Sequence, residues 1–336
     1  MSRSLLASLS LSLAFLACSN APAGETSESS ESAATGAVTE IRSFGDNPGG
    51  LKMFEYVPRN VAAQPALVLV LHGCMQTAMD ASKTGWNALA DELGLVVVYP
   101  EQQTGNNAMR CFNWAGEFGD PTNLIRGKGE NQSLKQMVDK ASELHNVDPK
   151  RVFILGFSGG GATAALAAAT WPNVFAGAAT LAGIPYDCTR EFLEVSKCLT
   201  PGKDLTAEVW GERARAAFPE YAGKYPRFSI WHGSADGTVA TTNRTQLIRQ
   251  WTNVHGLSQT PSATDTVDGH PHAVFKDEAG ETLVETFEIR GMGHGVPVKT
   301  AGGACGSTGQ YAFDKGICAA RHIATFFGLT TPAPRN

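Results

Sequence analysis

Short apolar runs, separated by longer segments with helical patterns, constrain the fold of this chain most strongly. The runs are Ala66–Leu71, Leu95–Tyr99 and Val152–Leu155, with Phe228–Trp231 as a shorter candidate. Because they are apolar on both faces, they are typical of the central strands of a parallel sheet that helices cover on either side. The candidate helices between them are Ser82–Leu93, Gln132–His145 and the alanine-rich Gly160–Thr170.

Turn signals predict antiparallel strands at both ends of this pattern. The predicted pairs are Val38–Phe44 with Leu51–Val57 and His272–Lys276 with Leu283–Ile289. Residues 183–226 interrupt the alternation and predict a small insertion, either a lid or cleft wall or a plain surface excursion. We therefore expect an α/β fold over residues 38–330, with a mostly parallel central sheet flanked by helices.

The N-terminus has the pattern of an export signal. Arg3 precedes an uncharged run, Leu5–Ala17, which is too short to span a bilayer but fits the apolar region of a signal peptide at residues 1–17. Phe15-Leu-Ala-Cys18 is similar to a bacterial lipobox, in which Cys18 becomes the lipidated first residue, whereas Ala21-Pro-Ala23 fits ordinary secretion. The lipobox is favoured because Cys18 directly follows the apolar run. Either site predicts a cell-surface or extracellular protein.

The segments that flank the predicted domain are small and polar. Residues 18–37 are rich in serine and acidic side chains without an aromatic residue, a composition that predicts a disordered tether. Residues 331–336 form a short tail. No later stretch of sequence is apolar enough for a membrane helix, so a lipid on Cys18 is the membrane attachment that we expect.

Charge excludes two classes of partner. The 336 residues contain 27 Lys and Arg against 32 Asp and Glu, a net charge of −5, without a basic run. A mildly acidic chain of this kind does not point to nucleic acid or to an anionic membrane surface. We expect a monomer.

The cysteines agree with export. Six of the seven lie beyond Cys18, and an even number in an oxidising compartment indicates disulfides. Several connectivities are possible. Proximity in sequence favours Cys188–Cys198 and Cys305–Cys318, which leaves Cys74–Cys111.

The strongest chemical signal is Gly156-Phe-Ser-Gly-Gly160, which follows an apolar run and opens a small-residue helix. This context is what a G-x-S-x-G nucleophile elbow requires, because larger side chains beside the serine would clash in the tight turn. The motif predicts Ser158 as a nucleophile with the Gly159 N–H beside it. A glycine-rich turn without a chemical role is the alternative.

A serine hydroxyl needs an adjacent base, and that base is held by an acidic side chain. Along the sequence of a protein with a nucleophile elbow, the serine is followed first by the Asp or Glu and then by the His. Asp236 lies in the loop after Phe228–Trp231, at the strand end where active sites of parallel sheets form. It could instead cap its own turn. Among the later histidines, His294 is flanked by glycines that let the backbone place an imidazole in a cleft. We predict Ser158, Asp236 and His294 as a catalytic triad.

Leu71-His-Gly-Cys74 ends the first apolar run, in the position of an oxyanion loop. The backbone N–H groups of Cys74 and Gly159 are the predicted donors, and a Cys74–Cys111 disulfide would hold the loop. We expect His72 to pack under the site without transferring a proton.

Metal binding has weak support in the sequence. His270-Pro-His272 lies near Asp268, but histidines two residues apart more often mark a polar loop that enters a strand, and no CxxC pair occurs. We expect neither a metal nor a cofactor.

Several longer stretches between about residues 45 and 330 carry one family resemblance. They are LHGCMQTAMDA, VVVYPEQ, RCFNWAG, RGKGEN, GFSGGGATAALAA, LAGIPYDC, WHGSADGTV, GMGHGVPV and the closing ACG…GICAARHIATFFGL. Together they resemble the polyhydroxybutyrate depolymerase-like esterases, which are related to the acetylxylan and feruloyl esterases of carbohydrate esterase family one.

The resemblance implies an α/β-hydrolase fold, the Ser158–Asp236–His294 triad and an oxyanion site at Cys74 and Gly159. The Cys111–Trp114 segment looks like an aromatic block of that family, which usually has Trp where Phe112 stands. Trp114 either lines the acyl pocket or is a core aromatic.

The implied activity is that of an exported serine carboxylesterase that forms an acyl-enzyme. Depolymerases of solid polymer resemble this domain plus a polymer-binding module, and only seven residues follow the closing FFGL. We therefore expect soluble polyhydroxyalkanoate-type oligoesters, or feruloyl and acetyl esters of plant polysaccharide, as substrates. A peptidase or lipase-like hydrolase on the same fold, or a non-catalytic surface lipoprotein, are the alternatives.

Overall fold

Strands alternate with helices along most of the chain in the computed structural model, which describes residues 36–116, 121–302 and 305–330. The strands are β1 (Val38–Ile41), β2 (Lys52–Tyr56), β3 (Leu67–Leu71), β4 (Val96–Glu101), β5 (Val152–Phe157), β6 (Gly177–Leu181), β7 (Arg227–Gly233), β8 (Ala263–Val267), β9 (His270–Lys276), β10 (Thr282–Ile289), β11 (Val296–Val298) and β12 (Ala312–Asp314). The helices are α1 (Ala78–Ser82), α2 (Trp86–Leu93), α3 (Gly129–His145), α4 (Gly159–Thr170), α5 (Val195–Leu199), α6 (Ala207–Arg215), α7 (Thr242–Val254) and α8 (Ala319–Phe326).

Ten strands form one sheet in the order β1-β2-β4-β3-β5-β6-β7-β10-β9-β8. The six strands from β4 to β10 are parallel, while β1 and β2 at one edge and β8 and β9 at the other are antiparallel. The remaining strands, β11 and β12, pair with each other. A mostly parallel sheet flanked by helices, with antiparallel hairpins at the edges, confirms the predicted fold class.

The apolar runs form the centre of the sheet because they serve two cores at once. In β3, Leu67, Leu69 and Leu71 pack into the core on one face of the sheet. Val68 and Val70 pack into the core on the other face. Successive side chains of a strand point to opposite faces, so only an uninterrupted apolar run can fill both cores.

Several elements differ from expectation, among them the first predicted helix and the strand β6. The helix predicted over Ser82–Leu93 begins only at Trp86, as α2, and a separate short helix, α1, ends at Ser82. Gly85, with a φ of 105°, lies between the two helices. The strand β6 was not predicted. Its sequence, Gly-Ala-Ala-Thr-Leu, is fully buried, but small residues give little strand signal on their own.

The insertion predicted at residues 183–226 lies between β6 and β7. It contains a 3-10 turn at Phe192–Glu194 followed by α5 and α6, and the Cys188–Cys198 disulfide closes its first part. A Cβ at Gly116 would collide with the carbonyl of Arg190, so the insertion packs directly against the loop that follows β4. It therefore borders the segment that contains Trp114.

The structure contains the two disulfides that proximity favours, Cys188–Cys198 and Cys305–Cys318, and the remaining pair, Cys74–Cys111. The predicted signal peptide, Cys18, nearly all of the tether and the tail at 331–336 lie outside the described residues. Among the helices that the structure describes, none is long and apolar enough to cross a bilayer.

Candidate active site

Ser158 lies at the turn between β5 and α4, with φ 54° and ψ −119°. A positive φ is strained for a residue with a Cβ, and it lifts the serine side chain out of the sheet. Glycines on both sides permit the turn: a Cβ at Gly156 would collide with the carbonyl of Gly160, and a Cβ at Gly160 would collide with the carbonyl of His72. The strand–turn–helix context is therefore present around Ser158.

His294 joins Ser158 to Asp236. The Ser158 hydroxyl donates to His294 Nε2 over 2.8 Å, and His294 Nδ1–H donates to Asp236 Oδ2, also over 2.8 Å. The side chain of Asp236 is fully buried and that of His294 is 9% exposed. The structure thus brings together the three side chains that the sequence predicted, although Ser158 and His294 are 136 residues apart in the chain.

The loop after β7 holds Asp236 as an ionised carboxylate. Burial alone would raise the pKa of Asp236, but hydrogen bonds with His232 and His294, together with the electrostatic interaction with His294 and the N–H of Val239, hold it below its usual value. Its other oxygen, Oδ1, accepts the backbone N–H groups of Thr238 and Val239 at 2.9 and 3.0 Å. Asp236 therefore caps its own turn and contacts the imidazole at the same time.

Cys74 and Gly159 lie against each other beside the serine. A Cβ at Gly159 would stand 3.1 Å from Cys74 Sγ. Within the described residues, neither the Cys74 N–H nor the Gly159 N–H has a hydrogen-bond partner. The unpaired N–H of Gly159, beside Ser158, and that of Cys74, whose Sγ contacts the same glycine, are candidate donors to a negatively charged oxygen.

Trp114 borders the same spot and also belongs to a core. A Cβ at Gly159 would stand 3.7 Å from its Cδ1 atom, and Trp114 packs with Ile184 and Trp210 in a small apolar cluster at the insertion. Its two predicted roles are therefore compatible: one part of the ring packs inside, and one edge faces the turn at Ser158.

Sequence reasoning missed two aromatic neighbours of the imidazole. The ring centroid of Phe157 lies 4.7 Å from that of His294, and the ring of Tyr311 lies 6.0 Å from it, edge-on. Phe157 fills the variable position of the elbow motif, which could have pointed to it. Nothing in the sequence around Tyr311 indicates this contact.

The histidines at 270 and 272 have other partners. His270 bonds with the carbonyl of Lys315 and the N–H of Arg290, and His272 with Asp265 and Glu285. In the part of the chain that the structure describes, no three His, Cys, Asp or Glu side chains are grouped as metal ligands.

A mostly parallel sheet with a serine at a strained strand–helix turn, bonded through an imidazole to a buried carboxylate, defines an α/β-hydrolase. The chain belongs to the esterase PHB depolymerase family, whose family model matches residues 51–270.

The known proteins that this chain is similar to include several ester hydrolases. The chain is 46% identical over 295 residues to poly(3-hydroxyalkanoate) depolymerase C of Paucimonas lemoignei, covering 87% of this chain and 70% of that protein. It is 31% identical to feruloyl esterase B of Talaromyces stipitatus over 268 residues, 77% of this chain and 72% of the relative. The solved acetyl xylan esterase from Aspergillus awamori superposes with a TM-score of 0.74 at 25% identity, covering 88% of this chain and all of that one. The protein is a carboxylic ester hydrolase.

Proposed function

We propose that this esterase works through an acyl-enzyme on Ser158, with His294 as the base and Asp236 as the acid of the triad. The continuous hydrogen bonding from Ser158 Oγ through His294 to Asp236 carries this proposal. An imidazole that accepts from a hydroxyl and donates to a carboxylate is in the tautomer that removes a proton from the serine.

In the first half-reaction, Ser158 Oγ attacks the ester carbonyl carbon while His294 Nε2 takes its proton. The carbonyl oxygen becomes an oxyanion that accepts the N–H groups of Cys74 and Gly159. When the tetrahedral intermediate collapses, the bond to the alcohol breaks, and the alcohol leaves with the proton from His294. In the second half-reaction, water attacks the acyl carbon while His294 takes its proton. The bond between the acyl carbon and Ser158 Oγ then breaks, His294 returns the proton to Oγ, and the acid is released.

The names of the relatives suggest two substrate classes. These are short oligoesters of the polyhydroxyalkanoate type and the feruloyl or acetyl esters of plant polysaccharide. Trp114 is a proposed contact of the acyl group in either class, and its position beside Gly159 supports this role.

We also propose export, with a signal peptide at 1–17, a tether at 18–37, a catalytic domain at 38–330 and a lipid on Cys18. The three disulfides support an oxidising compartment. Fractionation of cells that produce the full chain or Cys18→Ala tests the anchor. The anchored chain should be found with membranes and the variant in the soluble exported fraction; the same distribution for both would exclude lipidation.

Turnover of two substrates tests the catalytic proposal and chooses between substrate classes. We expect the chain to hydrolyse methyl ferulate or a soluble 3-hydroxybutyrate trimer, to react covalently with a fluorophosphonate, and to lose both properties in Ser158→Ala. Preference in kcat/KM for ferulate would indicate plant cell-wall deacylation, and preference for the trimer an oligoester hydrolase. If Ser158→Ala kept most of the turnover, the assigned nucleophile would be wrong.

A further inference from the structure

His72 is buried two residues before Cys74, and its hydrogen-bond partners in the described part of the chain are backbone groups. It follows β3 and is 1% exposed. Its Nδ1 lies 2.7 Å from the carbonyl oxygen of Gly73, and its Nε2 lies 3.1 Å from the backbone nitrogen of Gln102. A carbonyl can only accept and a backbone N–H can only donate, so Nδ1 carries the proton and Nε2 accepts. Burial lowers the pKa of His72 to about 4, which keeps this ring neutral.

The Gly73 carbonyl accepts from His72 at 2.7 Å and from the Gln76 N–H at 3.2 Å, and the shorter bond, from His72, affects a neighbouring group. The Gly73 carbonyl and the Cys74 N–H belong to one trans peptide unit, in which they point in opposite directions. Holding the carbonyl on one side therefore aims the N–H to the other side. A hydrogen bond to the carbonyl also polarises the peptide and makes its N–H a stronger donor.

The neighbouring peptides are held too, so the unit between them cannot turn freely. The Gly73 N–H donates to Gln76 Oε1 at 2.9 Å, and the Met75 N–H donates to the Met109 carbonyl at 2.7 Å. Among these three successive N–H groups, only that of Cys74 is without a partner in the described residues. That pattern is what an anion-binding N–H requires.

Gln102, the other partner of His72, is fixed from behind by a buried carboxylate. Its Nε2 donates to Glu130 Oε1 at 2.6 Å and to the Cys111 carbonyl at 3.1 Å. Glu130 also accepts the backbone N–H of Asn113 at 2.8 Å. The imidazole of His72 thus connects a rigid polar network in the loop after β4 to the peptide at Cys74.

We propose that His72 is a positioning residue that orients the Cys74 N–H for the oxyanion through the Gly73 carbonyl. It transfers no proton itself. The proposal rests on the proposed function. It assigns a catalytic consequence to a side chain that touches neither substrate nor Ser158. Loss of one oriented oxyanion donor typically lowers kcat by about 100-fold or more.

Two substitutions separate the two ring nitrogens. His72→Asn keeps a side-chain N–H near the place of Nδ1, whereas His72→Gln places its amide near the place of Nε2. In His72→Gln the Gly73 carbonyl loses the imidazole donor and keeps the Gln76 N–H, 3.2 Å away. With kcat expressed per serine titrated by a fluorophosphonate, we expect His72→Gln to lose about 100-fold with KM nearly unchanged, and His72→Asn to stay within about 10-fold of wild type. His322→Gln on α8 is the matched control and should have wild-type kcat.

A purely structural role would reduce the titratable fraction and the melting temperature but leave kcat per titrated serine unchanged, and that outcome would overturn the proposal. If His72→Gln does not fold, the wild-type chain with ¹⁵N-labelled histidine provides the test. A proton on Nδ1 of His72 supports the proposal, and a proton on Nε2 excludes it. Ser158→Ala separates the two hypotheses: if it is inactive while His72→Gln turns over normally, only the role of His72 is wrong.

Discussion

Asp236 has different partners on its two carboxylate oxygens. Oδ1 accepts two backbone N–H groups, from Thr238 and Val239. Oδ2 accepts His294 Nδ1–H at 2.8 Å and also lies 3.4 Å from His232 Nε2. The first pair fixes the loop, and the second bond selects the tautomer of the imidazole. A substitution that changes Oδ2 alone would therefore separate the chemistry from the folding of the loop.

Asp236→Asn is that substitution. The amide oxygen can still accept the N–H groups of Thr238 and Val239, while the amide NH₂ in place of Oδ2 cannot accept from His294. We expect kcat/KM to fall by about 1,000-fold or more, with little change in melting temperature. Asp268→Asn is the control, since Asp268 pairs with His322 at the surface. Nearly wild-type turnover in Asp236→Asn would contradict the assigned acid.

At the scale of elements, the sequence predicted what uninterrupted apolar patterns encode. The strands β3, β4 and β5 and the helices α3 and α4 lie close to their predicted bounds. Prediction failed for β6, because small residues form a strand there only through burial under tertiary contacts. The close approach of α4 to the end of β3 was also not predictable, because it brings Gly160 next to His72, 88 positions earlier in the chain.

That close approach predicts the behaviour of Gly160→Ala. A Cβ at residue 160 collides with the His72 carbonyl and lies 2.8 Å from the Leu71 carbonyl, both of them backbone atoms that cannot move aside cheaply. We expect the free energy of unfolding, measured in urea, to fall by about 2 kcal/mol, because α4 and the oxyanion loop must move apart. Turnover should fall for the same reason. Gly105→Ala, where an added Cβ meets nothing within 4 Å, should change neither. Equal stability of the two variants would show that the elbow tolerates the extra methyl group.

The disulfides predict a second contrast between elements. Cys74–Cys111 closes 37 residues and Cys305–Cys318 closes 13. In the chain-entropy account their removal costs about 4 and about 3 kcal/mol, similar amounts. Only the first pair ties the oxyanion loop to the loop after β4. We expect Cys74→Ala/Cys111→Ala to lose about 10-fold or more in kcat, because one donor becomes loosely held. We expect Cys305→Ala/Cys318→Ala to lower the melting temperature and to leave kcat unchanged. Similar kcat values for both double variants would argue against a role of the first disulfide in preorganisation.

At the scale of the whole molecule, parallel strands bring distant residues to one edge of the sheet. The triad was predictable because each member lies in a glycine-rich turn directly after a strand. The supporting residues were not, since Glu130, Gln102 and Tyr311 meet the site only through tertiary packing. No local pattern distinguishes a buried, bonded Glu130 from a helix-terminal glutamate in solvent.

The far edge of the sheet predicts a pH dependence of stability. Burial lowers the pKa of His272, but its bonds with Glu285 and Asp265, on β10 and β8, outweigh burial and raise it. Because its pKa is raised in the folded state, protonated His272 stabilises the fold fully below the unfolded-state pKa of about 6.5. This stabilisation is lost as the pH rises through the pKa of His272 in the folded chain. We expect His272→Gln to lower the free energy of unfolding more at pH 5.5 than at pH 9, as measured in urea. An equal loss at both pH values would exclude the ion pairs as the cause.

The Cys74–Cys111 bond has a practical consequence for any preparation of this enzyme. A molecule whose thiols stay reduced would still have its serine, imidazole and carboxylate, yet its oxyanion loop would lack the covalent tie to the loop after β4. Two batches of equal purity and equal mass could therefore differ in specific activity. We therefore expect the oxidation state of Cys74 and Cys111 to change the measured rate, and free thiols should be counted in each preparation whose rates are compared.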